Sequence, residues 1–148
     1  MNKLVIDEKT EKPMLIGHCT REAFADTNFA WWYNSNYDMY EINEAVIDEL
    51  NPNPAEITIT VVLGTWCSDS RREFPRFLRI MDLIGFPAKN IEIIAVNRAK
   101  VTEGDDVKDM DIQFVPTFIV YKDKKEIGRI IETPAATIEE DLVAILKK

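Results

Sequence analysis

The residue types best suited to chemistry lie in one short segment, Trp66-Cys67-Ser68-Asp69-Ser70. An apolar, β-branched run precedes the segment and a helical pattern follows it, so a strand is predicted to end and a helix to begin at Cys67. A helix N-terminus presents free backbone N–H groups and a partial positive charge, which favour the nucleophilic thiolate. Cys67 is therefore a predicted nucleophile; the alternative is a small buried apolar residue, as free cysteines often are.

The segment holds one thiol where a redox pair would hold two, because Ser70 stands three residues after Cys67. Ser68 and Ser70 supply hydroxyl donors. Arginines at positions 71 and 72 supply positive charge, which acidic neighbours partly offset. Cys67 is thus predicted to form mixed disulfides with a substrate but not to close a disulfide within the segment.

The second cysteine, Cys19, follows His18, the only histidine of the chain. Cys19 could serve as a resolving thiol and His18 as a catalytic base; a packed thiol and a solvent-facing or capping imidazole are the alternatives. Two cysteines give neither a disulfide framework nor a zinc spacing. His18, Cys19 and Cys67 are too few ligands for a metal site, so we predict no metal and no cofactor.

Hydrophobic patterns predict the elements that position this chemistry. β-branched apolar runs predict strands at 56–63, 91–96, 118–121 and 126–132, and the last two are predicted to pair as a hairpin. Helical spacing predicts a helix from Cys67 to Gly85, and a capping box at Thr137 predicts a C-terminal helix. Residues 97–110 are predicted to form a loop with a helical turn or short helix. The first two strands alternate too little to face water, so we predict a mixed α/β sheet with helices on both faces.

Residues 1–54 are predicted to form an N-terminal helical extension in front of a core at 55–148, the two making a single domain. Residues 1–19 read as a lead-in, 20–34 as helical, and a capping box at Asp38 predicts a further helix that ends at the Pro-rich turn 51–54. The extension is rich in aromatic residues. These are more often used to pack a helix onto a sheet than to line a substrate groove.

Composition limits the partners. The chain has 148 residues, 46% of them apolar, and a net charge of −8, so nucleic acid and anionic membrane surfaces are poor partners. No apolar run reaches the length of a membrane span. The start of the chain is too polar for a secretory signal, which favours the cytoplasm, or the periplasm if a signal was removed. A monomer is predicted, and the acidic stretch 103–111 is predicted to be a solvated face rather than a calcium loop.

Three motifs together resemble the thioredoxin family. The segment at 66–70 resembles the active-site motif Trp-Cys-x-x-Cys with its last position changed to Ser. Pro75 matches the proline within the family's active-site helix, and Val115-Pro116-Thr117 matches its cis-proline loop before an apolar strand. The resemblance covers about residues 55–148 and implies a thioredoxin-like fold.

The resemblance also implies roles for the residues. Cys67 would be the catalytic nucleophile, with Ser70 in the place of the resolving thiol. Substrate would bind at positions that surround the sulfur: Trp66, Ser68, Asp69, Val115 and Pro116. A substrate peptide would pair with the backbone of Val115 as an added strand. The family's buried acid corresponds to Val61, so both the resolving thiol and its base are missing.

The resemblance therefore implies thiol–disulfide exchange through a single cysteine. The implied partners are proteins with thiols or disulfides, or glutathione or another small thiol. Two other functions stay open. The fold could serve as a redox-inactive, peptide-binding or chaperone-like module. It could also hold an iron–sulfur cluster with glutathione, as some monothiol glutaredoxins do, although Trp66 is atypical of that subfamily.

Overall fold

A computed structural model describes all residues, 1–148, and contains a six-stranded mixed sheet. The strands are β1 Lys3–Asp7, β2 Lys12–Cys19, β3 Ile57–Leu63, β4 Ile91–Ala95, β5 Thr117–Lys122 and β6 Lys125–Ile131. Their spatial order is β1-β2-β4-β3-β5-β6. β3 and β4 run parallel, and every other neighbouring pair is antiparallel. All four predicted strands are present, and β5 and β6 form the predicted hairpin.

The helices include the two that the sequence predicts most clearly. They are α1 Thr27–Met39, α2 Glu44–Ile47, α3 Ser68–Ile84 and α4 Ile138–Leu146, with short 3-10 turns at Arg21–Ala25 and Ala88–Asn90. α3 ends at Gly85, which adopts the left-handed conformation typical of a helix C-cap. At α4 the Thr137 side chain accepts a hydrogen bond from the backbone N–H of Glu140 at 3.1 Å, as the capping box predicts. None of these helices has the length and apolarity that crossing a membrane requires.

The three long helices lie on one face of the sheet. Phe77 of α3 contacts Phe118 of β5 with ring centroids 4.8 Å apart, and Ile145 of α4 lies against Gly128 of β6. Side chains of α1, including Phe29, join the same apolar cluster. The opposite face is covered by residues 97–116, where Val107 and Val115 pack on the sheet. The prediction of helices on both faces is therefore wrong in this detail, because a polar segment anchored by a few apolar side chains replaces the second layer.

The N-terminal extension is part strand rather than wholly helical. β1 and β2 form an antiparallel hairpin that continues the sheet. β2 changes direction at Gly17, whose φ of +87° lies in the region that favours glycine. Residues before this bend pair with β1, and Gly17 to Cys19 pair with β4. The two halves of one strand thus connect the hairpin to the core.

The capping box at Asp38 does not start a helix, and the predicted helix up to residue 50 is reduced to the four residues of α2. Asp38 lies in the last turn of α1. Beyond it, the buried carboxylate of Glu139 accepts hydrogen bonds from the Tyr40 hydroxyl, at 2.6 Å, and from the backbone N–H of Asn43. A tertiary contact to α4 therefore takes the backbone N–H of Asn43, a donor that a local helix would use.

Candidate functional site

Cys67 lies where the sequence predicts it, at the N-cap of α3 directly after β3. Its backbone N–H donates to the carbonyl oxygen of Gly64 at 3.0 Å, and its own carbonyl accepts from the N–H of Arg71 at 3.0 Å. α3 is fixed here because its apolar face, with Phe74 and Phe77, is fully buried on the sheet. The thiol is half-buried and has no disulfide partner.

The structure brings the predicted thiol and the predicted proline loop together. The Cys67 Sγ donates to the carbonyl oxygen of Val115 at 3.4 Å. The Val115–Pro116 peptide bond is cis, and both residues are buried. Cys67 also packs against the apolar cluster on the helix-free face of the sheet. The sulfur therefore sits between the first turn of α3 and the entry of β5.

Ser70 occupies the position that a second cysteine would take in a Cys-x-x-Cys motif, and here it makes a structural hydrogen bond. Its side chain is fully buried, and its Oγ accepts a hydrogen bond from the backbone N–H of Gly64 at 3.1 Å. This bond ties the first turn of α3 to the end of β3. Since a buried N–H without an acceptor costs about 1–3 kcal/mol, Ser70 stabilises the turn that holds Cys67.

Trp66 forms one wall beside the sulfur. Its Nε1 donates to the carbonyl oxygen of Val96 at 2.8 Å, and the ring is half-buried. A Cβ at Gly64 would lie 2.4 Å from the Trp66 ring, so the absence of a side chain at Gly64 makes room for the indole. Ser68 is exposed at the start of α3, as expected for a residue that a substrate could contact.

The two arginines that follow the segment differ in their partners. Arg72 donates to Asp69 and to Glu73, each at 2.6 Å, so its charge is neutralised. Arg71 donates from Nε to the carbonyl oxygen of Thr65 at 2.7 Å and has no carboxylate partner. Burial lowers the pKa of the Arg71 guanidinium, and the negative charge of a Cys67 thiolate acts in the opposite direction. The cation left uncompensated is thus the one that interacts with the thiol.

Cys19 and His18 do not join this site. Cys19 is buried at the end of β2, where its Sγ donates to the carbonyl oxygen of Gly17 at 3.4 Å, and burial raises its pKa to about 11. The register places it level with Val61, two strands away from β3. His18 lies 3.0 Å from Asp106, with Nε2 facing Oδ1. The structure gathers no cluster of three or more metal-ligating side chains.

A cleft beside Trp66 contains residues that sequence reasoning missed. It is lined by Asp7, Lys12 and Arg98 together with Trp66 and Arg71. Arg98 could have been found, because it follows β4, and the carboxyl ends of parallel strands meet at one edge of a sheet. Asp7 and Lys12 carry no such signal, since their place depends on the unpredicted hairpin.

Comparison with solved structures supports the fold. The chain is similar to a protein of unknown function from Pseudomonas aeruginosa, with a TM-score of 0.63 and 17% identity over 89% of this chain and 93% of that one. It is also similar to an HIV epitope-scaffold, with a TM-score of 0.55 and 16% identity over 80% of this chain and 81% of that one. A thioredoxin from Fasciola hepatica aligns with a TM-score of 0.40 and 22% identity over 60% of this chain and 76% of that one.

No family model matches the chain, and no curated protein matches it in sequence. At the identities found, structural similarity concerns the fold alone. The topology described above, with a parallel β3–α3–β4 unit followed by the β5–β6 hairpin and α4, is a thioredoxin-like α/β fold. The predicted fold class is confirmed.

Proposed function

We propose that this protein exchanges thiols and disulfides through the single sulfur of Cys67. The observation that carries the proposal is the position of the sulfur, half-buried at the first turn of α3 and 3.4 Å from the carbonyl oxygen of Val115. The sulfur lies at the positive end of the α3 dipole, and Arg71, which has no carboxylate partner, interacts with the charge of a Cys67 thiolate. Thiolate is the form that attacks disulfides.

The proposed exchange has two balanced steps. First, the Cys67 thiolate attacks one sulfur of a substrate disulfide, a new S–S bond forms, and the other substrate sulfur leaves as a thiolate. Next, an external thiolate attacks the substrate sulfur of this mixed disulfide and releases Cys67 as a thiolate. No net oxidation or reduction of the protein occurs, because the disulfide passes from one pair of sulfurs to another.

The second step needs an external thiol because the chain offers no suitable internal one. Ser70 is a positioning residue in this proposal, since its oxygen accepts the N–H of Gly64. Cys19 is buried and protonated at neutral pH. Proteins with thiols or disulfides, and glutathione or another small thiol, are the proposed partners. Around the sulfur, substrate would contact Trp66, Ser68, Asp69, Val115 and Pro116.

Adduct formation tests the proposal directly. Reduced protein is mixed with bis(2-hydroxyethyl) disulfide near neutral pH, and intact mass is followed with time. One mercaptoethanol adduct is expected on Cys67, none on a Cys67→Ser variant, and a Cys19→Ala variant should react like the parent. A parent protein whose Cys67 stays unmodified while a free peptide thiol reacts would overturn the proposal.

A second candidate function is peptide binding without chemistry. Phe114, next to Val115, is 52% exposed, and an apolar side chain at this edge suits a docked peptide. In the resemblance to thioredoxins, Val61, which is fully buried, corresponds to the acid that assists the second thiol. A Cys67→Ala variant that binds captured substrate peptides as tightly as the parent would favour this function. Loss of capture in the same variant would favour exchange.

A further inference from the structure

A polar cleft adjoins Trp66, the residue before Cys67, and is not used by the exchange step itself. Its volume is about 590 Å³, within the range of sites that hold small molecules. The walls are the N-terminal hairpin, the first residues of α1, and the turn between β3 and α3. Four charged side chains line it, and three are cationic: Lys12, Arg71 and Arg98, against Asp7. This local excess of positive charge stands in a chain whose net charge is −8.

One of the three cations is already neutralised. The Arg98 Nε lies 2.9 Å from both carboxylate oxygens of the buried Asp7. The Arg98 guanidinium also lies over the Trp66 ring, 5.1 Å from its centroid. Arg98 therefore fastens the hairpin to the wall formed by Trp66. It also shows that this region already holds one guanidinium–carboxylate pair.

Like Arg98, Arg71 lies over a tryptophan ring, but it has no carboxylate partner. Its Nε is held by the carbonyl oxygen of Thr65, and its guanidinium lies over the Trp31 ring at 5.4 Å from the centroid. These two contacts fix the plane of the guanidinium and leave the Nη groups without an anionic partner. Burial and the charge of Arg98 both lower the pKa of Arg71, so a carboxylate placed in the cleft would stabilise its charged form.

The cleft is coupled to the thiol by the helix. Arg71 follows Cys67 by four residues on α3, and its N–H donates to the Cys67 carbonyl oxygen at 3.0 Å. Trp66, which directly precedes Cys67, also lines the cleft, so an anion held by the Arg71 Nη groups lies in the space next to the turn that carries the thiol.

We infer that the cleft selects thiols and disulfides that carry a carboxylate within a few bonds of the reacting sulfur. Arg71 binds this carboxylate through its planar Nη pair, a geometry that fits the two oxygens of a carboxylate, and Lys12 adds long-range attraction. The inference rests on the proposed function and names its substrate class. Trp31 and Trp66 form the side walls.

The test compares three disulfides of similar size and different charge. These are 3,3′-dithiodipropionate, bis(2-hydroxyethyl) disulfide and cystamine, which carry negative, no and positive charge. Each rate constant for adduct formation on Cys67 is divided by that of a free neutral thiol with the same disulfide. At low ionic strength the normalised rate should be about tenfold higher for dithiodipropionate than for cystamine, and added salt should reduce this ratio.

Matched variants assign the preference to Arg71. Arg71→Gln should bring the anion-to-cation ratio close to one, whereas Arg71→Lys should keep most of it. Lys89→Gln removes the same unit of charge from an exposed position before β4, at the opposite end of the sheet, and should leave the ratio unchanged. The anion-to-cation ratio is the relevant quantity rather than the absolute rate, because loss of the Arg71 charge near the thiol affects the reaction with all three disulfides alike.

Two further experiments are needed. The first distinguishes peptide carboxylates from those of small thiols, and the second tests the cleft independently of the exchange reaction. Two short Cys peptides, one with Asp and one with Asn beside the Cys, are compared as disulfide-linked dimers. If the Asp peptide reacts faster and this preference depends on Arg71, peptide carboxylates are a source. If there is no such preference, the source is restricted to small thiols. A Cys67→Ser protein is titrated with succinate while the indole N–H signals of Trp31 and Trp66 are followed by NMR. Shifts that vanish in the Arg71→Gln background support the cleft even if no disulfide reacts.

The outcomes are distinct. No adduct with any disulfide, together with succinate shifts, overturns the proposed exchange and retains the carboxylate site. Adducts at equal normalised rates, or a ratio that Arg71→Gln leaves unchanged, overturn the cleft inference and retain the exchange. Absence of both adducts and succinate shifts overturns both.

Discussion

The two cysteines of this chain lie at the ends of two strands of one sheet, and their burial and their charged neighbours differ. Cys67 lies beyond the end of β3, half-buried, at the open first turn of a helix. Cys19 is the last residue of β2 and is buried, with its backbone paired to Ile93 of β4. A cationic side chain, Arg71, interacts with the first thiol, whereas burial is the main influence on the second and raises its pKa to about 11.

This comparison shows that the burial and charge around a thiol, rather than its residue type, decide what the thiol can do. A backbone hydrogen bond from Ala95 lowers the pKa of Cys19, but burial, which raises it, has the larger effect. Past the strand end, a helix start supplies several unpaired N–H groups at once. Cys67 and Cys19 are the same residue type, and they differ in burial and in the cationic side chain that acts on the first.

The largest expected effect is a difference in alkylation rate between the two thiols. With iodoacetamide near pH 8, Cys67 should be modified at least about a hundredfold faster than Cys19, because Cys19 is buried and remains protonated. Peptide mass mapping measures both rates in one sample. In denaturant the ratio should fall towards one, and comparable native rates would contradict the contrast.

The second prediction concerns a variant in which a second thiol is introduced near Cys67. A Ser70→Cys variant should form a Cys67-to-position-70 disulfide and should lose a mercaptoethanol adduct at least about tenfold faster than the parent, since attack from within the same chain has a high effective concentration. Intact mass after removal of excess reagent measures adduct lifetime. Ser70→Ala is the control and should keep the long-lived adduct of the parent. An equally persistent adduct in Ser70→Cys would show that position 70 cannot reach the sulfur.

The third prediction concerns a substitution, Gly64→Ala, that disturbs the turn around Cys67 and does not affect Cys19. A Gly64→Ala side chain would meet the Trp66 ring at 2.4 Å, so the indole must move and its hydrogen bond to Val96 is lost. We expect a decrease of about 2 kcal/mol in the free energy of unfolding, measured with urea, and a changed tryptophan emission spectrum. Gly104→Ala, in an open loop, serves as the control. An unchanged spectrum in Gly64→Ala would mean that Trp66 tolerates the added methyl group.

The smallest expected effect concerns the buried thiol. Burial raises the pKa of Cys19 from an ordinary value of 9.0 to about 11, so the folded state retains a proton that the unfolded state loses between these values. The stability that this neutral thiol contributes is complete below about pH 9 and is lost as pH rises towards 11. Relative to Cys19→Ala, the parent should lose about 1–2 kcal/mol over that interval. Urea unfolding at several pH values measures it, and a pH-independent difference between the two proteins would contradict the assignment.

Much of the core could be predicted from local pattern. The β-branched run at 57–63, the capping box at Thr137 and the left-handed Gly85 each act through neighbours in sequence, and each has the predicted structure. The prediction from the capping box at Asp38 was wrong because Glu139, remote in sequence, accepts the backbone N–H of Asn43 that a local helix would use.

The site was predictable only in part. Cys67 and the proline loop were placed by motif, and the structure brings them into contact. The cleft was not predictable, because it combines Asp7 and Lys12 of the hairpin with Arg71 and Arg98, which are far away in sequence. β1 has mostly exposed side chains on both faces, so its residues lack the alternation that identifies a strand.

The bend at Gly17 has a consequence for how specificity could evolve. A Cβ there would meet no atom within 4 Å, so any substitution acts purely through the backbone angle. That angle aims the hairpin, and with it Asp7 and Lys12, at the space beside Trp66. Gly17 contacts the sulfur of Cys19 but not that of Cys67. A substitution there would change the width of the cleft through the hairpin, while the reacting group stays in place.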